Sequence, residues 1–228
     1  MARRLAVRDM QNSIKFNSST DEVAWVDGVH FDFTNITVET WVRFPFFDPA
    51  FRDIVIKWNA VSVPNQSFAV TLTPTGEFAF YIRVGGTSYN IDSGIIPQLG
   101  RWYHLVSTYD GTDLKTYVNG TAEGTPVTVG GSIDTGTSEL RLGNREDGST
   151  GADMHMALCR VFSNAATAAQ VADLYYDNQT FETPVLEALM TEGSGTSIAS
   201  TGSHTSSGTM TNVDWSTASP FKPRTAIT

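Results

Sequence analysis

The sequence contains a single cysteine, Cys159, among its 228 residues. One cysteine excludes an intrachain disulfide, so packing and hydrogen bonds must hold the fold together. No stretch approaches the ~20 consecutive apolar residues of a transmembrane helix, which argues against membrane insertion. The N-terminal residues carry arginines but lack the apolar core of ~7–15 residues that marks a secretion signal, so we expect synthesis and folding in the cytoplasm.

Basic residues are scarce relative to acidic ones. The chain has 15 Lys and Arg against 24 Asp and Glu, which gives a formal net charge of −9. A chain of this charge repels the phosphate backbone, so we expect no nucleic-acid partner. Hydrophobic residues make up 40% of the chain and aromatic residues 11%, which is enough for a full core and argues against a disordered protein.

The residue patterns of common catalytic sites are also missing. The chain has no Gly-x-Ser-x-Gly or Walker pattern, and its four histidines lack the spacing of metal ligands. Glu39 and Glu77 stand alone on predicted strands, where we expect them to be solvated. Glycanases need two carboxylates that flank one bond, and no such paired run occurs. We therefore expect neither catalysis nor a cofactor.

The chain is instead rich in short strand-like runs, separated by Gly, Pro, Asn and Asp, from residue 13 to residue 162. Residues 36–44 alternate, with Ile36, Val38, Val42 and Phe44 on one face, and residues 102–109 show the period-2 pattern of a half-buried strand. Asp110-Gly111 follows the second run and suits a tight turn into the next strand. Many short strands with no helix between them predict an all-β antiparallel sandwich.

One short helix is predicted near the end of this region. Thr167 followed three residues later by Gln170 is a capping-box pattern, and Val171 and Leu174 then share one face. We expect this helix to lie on the sandwich without a catalytic role.

Four segments, which include Trp102-Tyr-His-Leu-Val106, occur in the order typical of one family: 14–25, 36–43, 102–120 and 160–175. The chain thereby resembles the laminin-G-like, concanavalin A-like lectin domains. The resemblance implies an antiparallel jelly roll, and a protein that binds glycans or other ligands.

The order of the sequence segments along the chain differs from the order in this family. Residues 186–196 and 208–215 resemble the sequence segment that normally begins such a domain, yet here they come last. We therefore expect a circularly permuted sandwich, in which an arm (1–12) precedes the main sandwich (13–180) and a C-terminal segment (181–228) completes it. Donation of this segment to a neighbouring subunit, or loose packing, are the alternatives.

The Gly-rich loop at residues 142–153 is a candidate cation site. Asn144, Asp147 and Asp153 offer oxygen ligands of the kind that Ca²⁺ takes. Their spacing fits no dedicated calcium motif, so weak Ca²⁺ binding and a polar hairpin loop without an ion both stay open. Where the family usually carries an acidic residue before its closing strand, this chain has Ala157, which argues against calcium.

Aromatic side chains form the second candidate site. Phe46, Phe47 and Phe51 lie in one Pro-bounded loop, where they could stack on sugar rings or pack on a partner chain. The alternative is a loop folded back over the sheet edge.

Further contact residues are predicted elsewhere in the chain. Trp41, Tyr81 and Tyr89 could line a concave face for glycan, although aromatic residues at strand spacing often belong to the core. Arg3 and Arg4 belong to a basic arm that suits an acidic patch on a neighbouring subunit.

Two functions are consistent with these patterns. Because a secretion signal is missing, we expect a non-enzymatic protein of a virus surface, a capsid decoration or fibre component of a tailed phage. Its partners would be other virion subunits, including copies of itself. The alternative is a carbohydrate-binding module that recognises a cell-surface or extracellular glycan.

Overall fold

The structure, a computed structural model, describes residues 11–46, 50–59 and 65–220. Within these ranges the chain forms sixteen β-strands, one short 3-10 turn and one α-helix, α1, at Ala168–Asp177. No helix in these ranges is long and apolar enough to cross a membrane. The first eight strands are β1 Ser13–Phe16, β2 Glu22–Trp25, β3 Ile36–Arg43, β4 Arg52–Trp58, β5 Gln66–Leu72, β6 Phe78–Val84, β7 Thr87–Asp92 and β8 Trp102–Tyr109. The others are β9 Asp113–Val118, β10 Thr121–Thr128, β11 Leu140–Leu142, β12 Met154–Phe162, β13 Leu186–Ala188, β14 Ser197–Ala199, β15 Ser207–Thr211 and β16 Asp214–Ser216.

The strands form two sheets of eight, which confirms the predicted all-β sandwich. Sheet A has the order β10-β9-β8-β3-β12-β1-β16, with β13 also paired to β12, and sheet B has the order β14-β15-β2-β11-β4-β5-β6-β7. Neighbouring strands run antiparallel. The sheets pack face to face on a core that includes Trp25, Phe33, Phe68, Phe80 and Tyr109.

The β8–β9 hairpin forms where the sequence predicts it. The Asp110 carboxylate accepts hydrogen bonds from the backbone N–H groups of Thr112 and Asp113, at 3.0 and 2.8 Å. Gly111 adopts φ 88°, a conformation that glycine reaches without strain. This turn chemistry sets the register of two neighbouring strands of sheet A.

The C-terminal segment completes both sheets within the same chain. Leu186–Ala188 pairs with β12. β15 pairs with β2, and β16 pairs with β1, so strands from the two ends of the described chain lie side by side. Donation to a neighbouring subunit is not needed to close the sandwich.

Helix α1 covers part of the outer face of sheet A. The predicted capping box is present: the Thr167 side chain accepts from the Gln170 backbone, and the Gln170 side chain accepts from the Thr167 backbone at 2.8 Å. Val171 and Leu174 are buried against strand residues that include Val106.

The solvated position predicted for Glu39 is wrong. Glu39 lies fully buried on the outer face of sheet A, where Arg160 Nη1 and His104 Nε2 approach its two oxygens at 3.2 and 3.0 Å. Arg160 Nε also donates to Glu187 of the C-terminal segment at 2.8 Å. Burial raises the pKa of Glu39, but the Arg160 charge and the His104 hydrogen bond outweigh it, so the pKa lies below its usual value. Arg160 and His104 therefore keep the carboxylate ionised although it is buried.

Candidate functional site

An aromatic-lined depression of about 190 Å³, here called the trough, lies on the outer face of sheet B. Successive side chains of a strand point to opposite faces of the sheet. Phe68, Val70 and Leu72 of β5 point into the core, so the residues between them face outward and form the trough. The trough is lined by Phe51, Asp53, Trp58, Ala69, Thr71, Tyr81 and Arg145.

The floor and walls of the trough come from neighbouring strands in register. Ala69 of β5 pairs with Tyr81 of β6, and Thr71 of β5 pairs with Asp53 of β4. The small Ala69 leaves room beside the larger rings. Phe51 and Tyr81 meet edge to face, with ring centroids 6.3 Å apart and planes at 74°. Phe51 is 42% exposed, so an aromatic wall faces solvent.

Asp53 is the one carboxylate that lines the trough among the described residues. It is fully buried, and its Oδ2 atom accepts from Arg145 Nε at 3.1 Å and from the Thr150 hydroxyl. Burial raises the pKa of Asp53 above its usual value, against the Arg145 charge and the Thr150 hydrogen bond. These two partners hold one carboxylate oxygen in place and orient the other.

Two polar atoms of the trough are buried and have no hydrogen-bond partner within the protein: Asp53 Oδ1 and Thr71 Oγ1. Buried polar atoms in native proteins are nearly always paired, so such a couple indicates a place for water or a ligand. The carboxylate oxygen accepts a hydrogen bond, and the hydroxyl can donate or accept one. The trough can therefore hold a molecule that presents hydroxyl groups from an otherwise apolar surface.

A second cavity, of about 260 Å³, lies at one end of the sandwich and is lined by Ser18, Ser19, Phe44, Phe46, Arg52, Leu72, Gly151 and Asp153. The structure thus divides the predicted aromatic loop between two places. Phe46, which is 59% exposed, faces the end cavity, and Phe51 faces the trough. The predicted contact residues Phe47, Arg3 and Arg4 lie outside the described residues.

The structure does not form the concave face predicted from Trp41, Tyr81 and Tyr89. Trp41 belongs to sheet A, where its ring stacks on Tyr175 of α1 at 5.7 Å. Tyr89 belongs to sheet B but packs against the core. Of the three residues, only Tyr81 lines the trough, because Trp41 belongs to the other sheet and Tyr89 faces the core.

The predicted calcium ligands make other contacts in the structure. Asn144 Oδ1 accepts from the backbone N–H of Arg145 at 2.9 Å, and Asp147 Oδ1 accepts from the backbone N–H of Ser149 at 3.0 Å. Asp153 lines the end cavity, with its Oδ1 atom buried and unpaired. Within the described ranges, no group of three or more His, Cys, Asp or Glu side chains is placed to hold a metal ion.

Sequence reasoning missed five residues of the trough: Asp53, Trp58, Ala69, Thr71 and Arg145. The sequence does predict strands at residues 53–58 and 67–73, so the alternation of side chains along them could have indicated which residues face outward. The register between β4 and β5 shifts between Asp53 and Val55, however, and such a bulge changes which residues face outward.

A family comparison agrees with this architecture. The model of the Concanavalin A-like lectin/glucanases superfamily matches residues 17–172. The chain belongs to this superfamily. A comparison of the sequence with curated proteins gives no match.

Several solved structures share the fold of this superfamily member. A protein from Bacteroides ovatus ATCC 8483, provisionally described as carbohydrate binding, has a TM-score of 0.70 at 18% identity, with 93% of this chain and 62% of that chain covered. This chain therefore spans less than two thirds of that protein. The heptameric SAP-like pentraxin of Limulus polyphemus has a TM-score of 0.58 at 16% identity, over 76% of this chain and 85% of that one. The binding domain of Paraclostridial Mosquitocidal Protein 1 has a TM-score of 0.56 at 16% identity, over 73% and 43%. At these identities the likeness shows the fold alone.

Proposed function

We propose that the protein binds carbohydrate through the trough on sheet B. The observation that carries this proposal is the pair of unpartnered buried atoms, Asp53 Oδ1 and Thr71 Oγ1, in a depression whose walls are aromatic. A pyranose ring has apolar C–H faces and hydroxyl groups at its edge. The faces would lie against Trp58 and Tyr81, and a hydroxyl pair would reach the two polar atoms.

The size of the trough limits how much of a glycan it can hold. Its volume of about 190 Å³ is below the roughly 300–1,000 Å³ of sites that enclose larger ligands. It suits one sugar unit, with the remainder of a longer glycan extending into solvent. We expect affinity to come from stacking and two or three hydrogen bonds.

The site favours binding over hydrolysis. Glycoside hydrolysis uses two carboxyl groups that flank the scissile bond, whereas Asp53 is the single carboxylate among the described residues that line the trough. Arg145 and Thr150 also occupy one oxygen of Asp53, which hinders its use as an acid or a base. Superfamily membership and the carbohydrate binding ascribed to the Bacteroides ovatus protein support the same proposal.

The test is a glycan panel followed by isothermal titration calorimetry on the glycan that binds best. Trp58→Ala and Tyr81→Ala should each weaken binding about tenfold, since a lost aromatic contact of ~1–1.5 kcal/mol corresponds to that factor. Tyr176→Ala is the matched control, because Tyr176 is 76% exposed and lies on α1, outside the trough.

Thr71→Val is the sharper variant. Valine keeps the shape of threonine but removes a buried hydroxyl that has no partner, so the melting temperature should stay constant or rise. Glycan affinity should nevertheless fall. Binding that survives Trp58→Ala, Tyr81→Ala and Thr71→Val unchanged would place the glycan elsewhere and refute the proposal.

The virion role expected from the sequence stays a prediction. Phe46, 59% exposed beside the end cavity, supports contact with another protein, because burying its ring at an interface would remove apolar area from water. Replacing Phe46 with Ser and measuring incorporation into particles tests this role. Normal incorporation of the variant would remove the support that Phe46 provides.

A further inference from the structure

A row of cationic and aromatic side chains crosses the outer face of sheet A, on the sheet opposite the trough. Lys15 of β1 pairs in register with His155 of β12, His155 pairs with Arg43 of β3, and Arg43 pairs with Trp102 of β8. Residues that pair across antiparallel strands project from the same face of a sheet. These four residues, here called the cationic row, therefore lie side by side.

Hydrogen bonding within the row leaves donors without acceptors. Arg43 Nη2 lies 3.1 Å from His155 Nε2, and because a guanidinium can only donate, Nε2 must accept. The imidazole then carries its proton on Nδ1, which is buried and has no partner. Arg43 Nε is likewise buried without a partner, and the guanidinium lies 5.7 Å from the centroid of the Trp102 ring.

Lys15 and Arg43 also lack ion-pair partners. No carboxylate of the described residues forms an ion pair with Lys15 or Arg43. Asp214, the register neighbour of Lys15 on β16, instead accepts from Asn17 at 2.9 Å. Other cations of this acidic chain do find partners, as Lys115 does with Asp110 at 3.2 Å and with Asp113 at 3.6 Å.

We propose that the cationic row binds an oxyanion, a carboxylate, sulfate or phosphate group, which is either a free ion or part of an acidic sugar. Such a group supplies the acceptor atoms that the row lacks, and hydrogen bonds from guanidinium and ammonium groups to oxyanions are strong. Unpaired buried donors commonly mark the place of a water or an ion. Trp102 positions the Arg43 guanidinium, and Lys15 adds a second charge from the adjoining strand. The site does not depend on the proposed function, because the trough lies on the other sheet.

The test is thermal unfolding in sodium sulfate and in sodium phosphate, each compared with sodium chloride at equal ionic strength. Sulfate also stabilises proteins in general, so the measured quantity is the difference between wild type and variant. We expect the stabilisation by sulfate relative to chloride to be larger for wild type than for Arg43→Gln and for Lys15→Gln. Lys115→Gln, which removes one charge at an ion pair elsewhere on sheet A, should respond like wild type.

Calorimetry with glucuronate and with glucose then separates the sources of the anion. Glucuronate binding that weakens at least tenfold in Lys15→Gln, with no glucose binding at the row, would show an acidic sugar site. Sulfate binding without glucuronate binding would show a site for a free anion, which also supports the proposal. Equal sulfate responses in wild type and Lys15→Gln would overturn it, and that comparison stands even if Arg43→Gln does not fold.

Discussion

Gly208 of β15 lies directly against the indole ring of Trp25 in β2, so closely that a Cβ atom at residue 208 would stand 2.5 Å from the ring. Trp25 is a fully buried core residue near the beginning of the chain, and Gly208 belongs to the segment that closes sheet B. The C-terminal segment therefore packs on the core through a contact that leaves no room for a side chain.

Gly208→Ala should lower the free energy of unfolding by about 1–3 kcal/mol, because the added methyl group overpacks the core against a rigid ring. Chemical denaturation measures this change. Thr209→Ala, at an exposed position on the same strand, is the control and should change stability by no more than about 0.5 kcal/mol. Equal stabilities for the two variants would mean that β15 does not pack on Trp25 as described.

Arg160→Met should be the more severe change, since it leaves the buried Glu39 carboxylate without its cation. Breaking a buried pair typically costs about 3–5 kcal/mol, and Glu39→Leu combined with Arg160→Met should recover much of that loss. Arg141→Met, which breaks the partly exposed contacts with Glu22 and Glu139, should cost no more than about 1 kcal/mol. A double variant that is less stable than Arg160→Met would contradict this assignment.

Acid should destabilise the fold through His155. Burial, with the charges of Arg43 and Lys15, lowers the pKa of His155 from 6.5 to about 4. Between these values the unfolded chain binds a proton that the folded chain does not, so stability is lost as the pH falls from about 6.5 toward 4. Melting temperatures across this range should fall less steeply for His155→Gln than for wild type. Parallel profiles would show that His155 does not carry this dependence.

Calcium should leave the protein unchanged. Asn144 and Asp147 bond to backbone groups of their own loop, and Asp153 faces the end cavity. We therefore expect the same melting temperature with excess Ca²⁺ and with EDTA. A rise in Ca²⁺ that EDTA reverses would reveal a weak site, because a ligand that binds the folded state stabilises it. Loss of that rise in Asp153→Asn would then assign the site to the end cavity.

The β8–β9 hairpin and the cap of α1 could be predicted because both depend on neighbours in the sequence. Asp110 and Gly111 build their turn from backbone groups within three residues, and Thr167 and Gln170 bond to each other across one helical turn. Alternating side chains likewise indicated half-buried strands, with one face toward a core, and hence the sandwich. The expectation that the C-terminal segment completes the sandwich rested on its resemblance to the sequence that normally begins such a domain.

The tertiary structure decided which side chains lie together on each face of the two sheets. Asp53 and Thr71 lie on consecutive strands, and they meet because β4 and β5 pair in a register that a bulge shifts. Lys15, His155 and Arg43 meet through three strands that are distant along the chain. Glu39 could not be recognised as buried, because its cover comes from residues more than a hundred positions later. Local patterns specify strands and turns, whereas the pairing of remote strands specifies which side chains share a site, since that pairing depends on how the whole core packs.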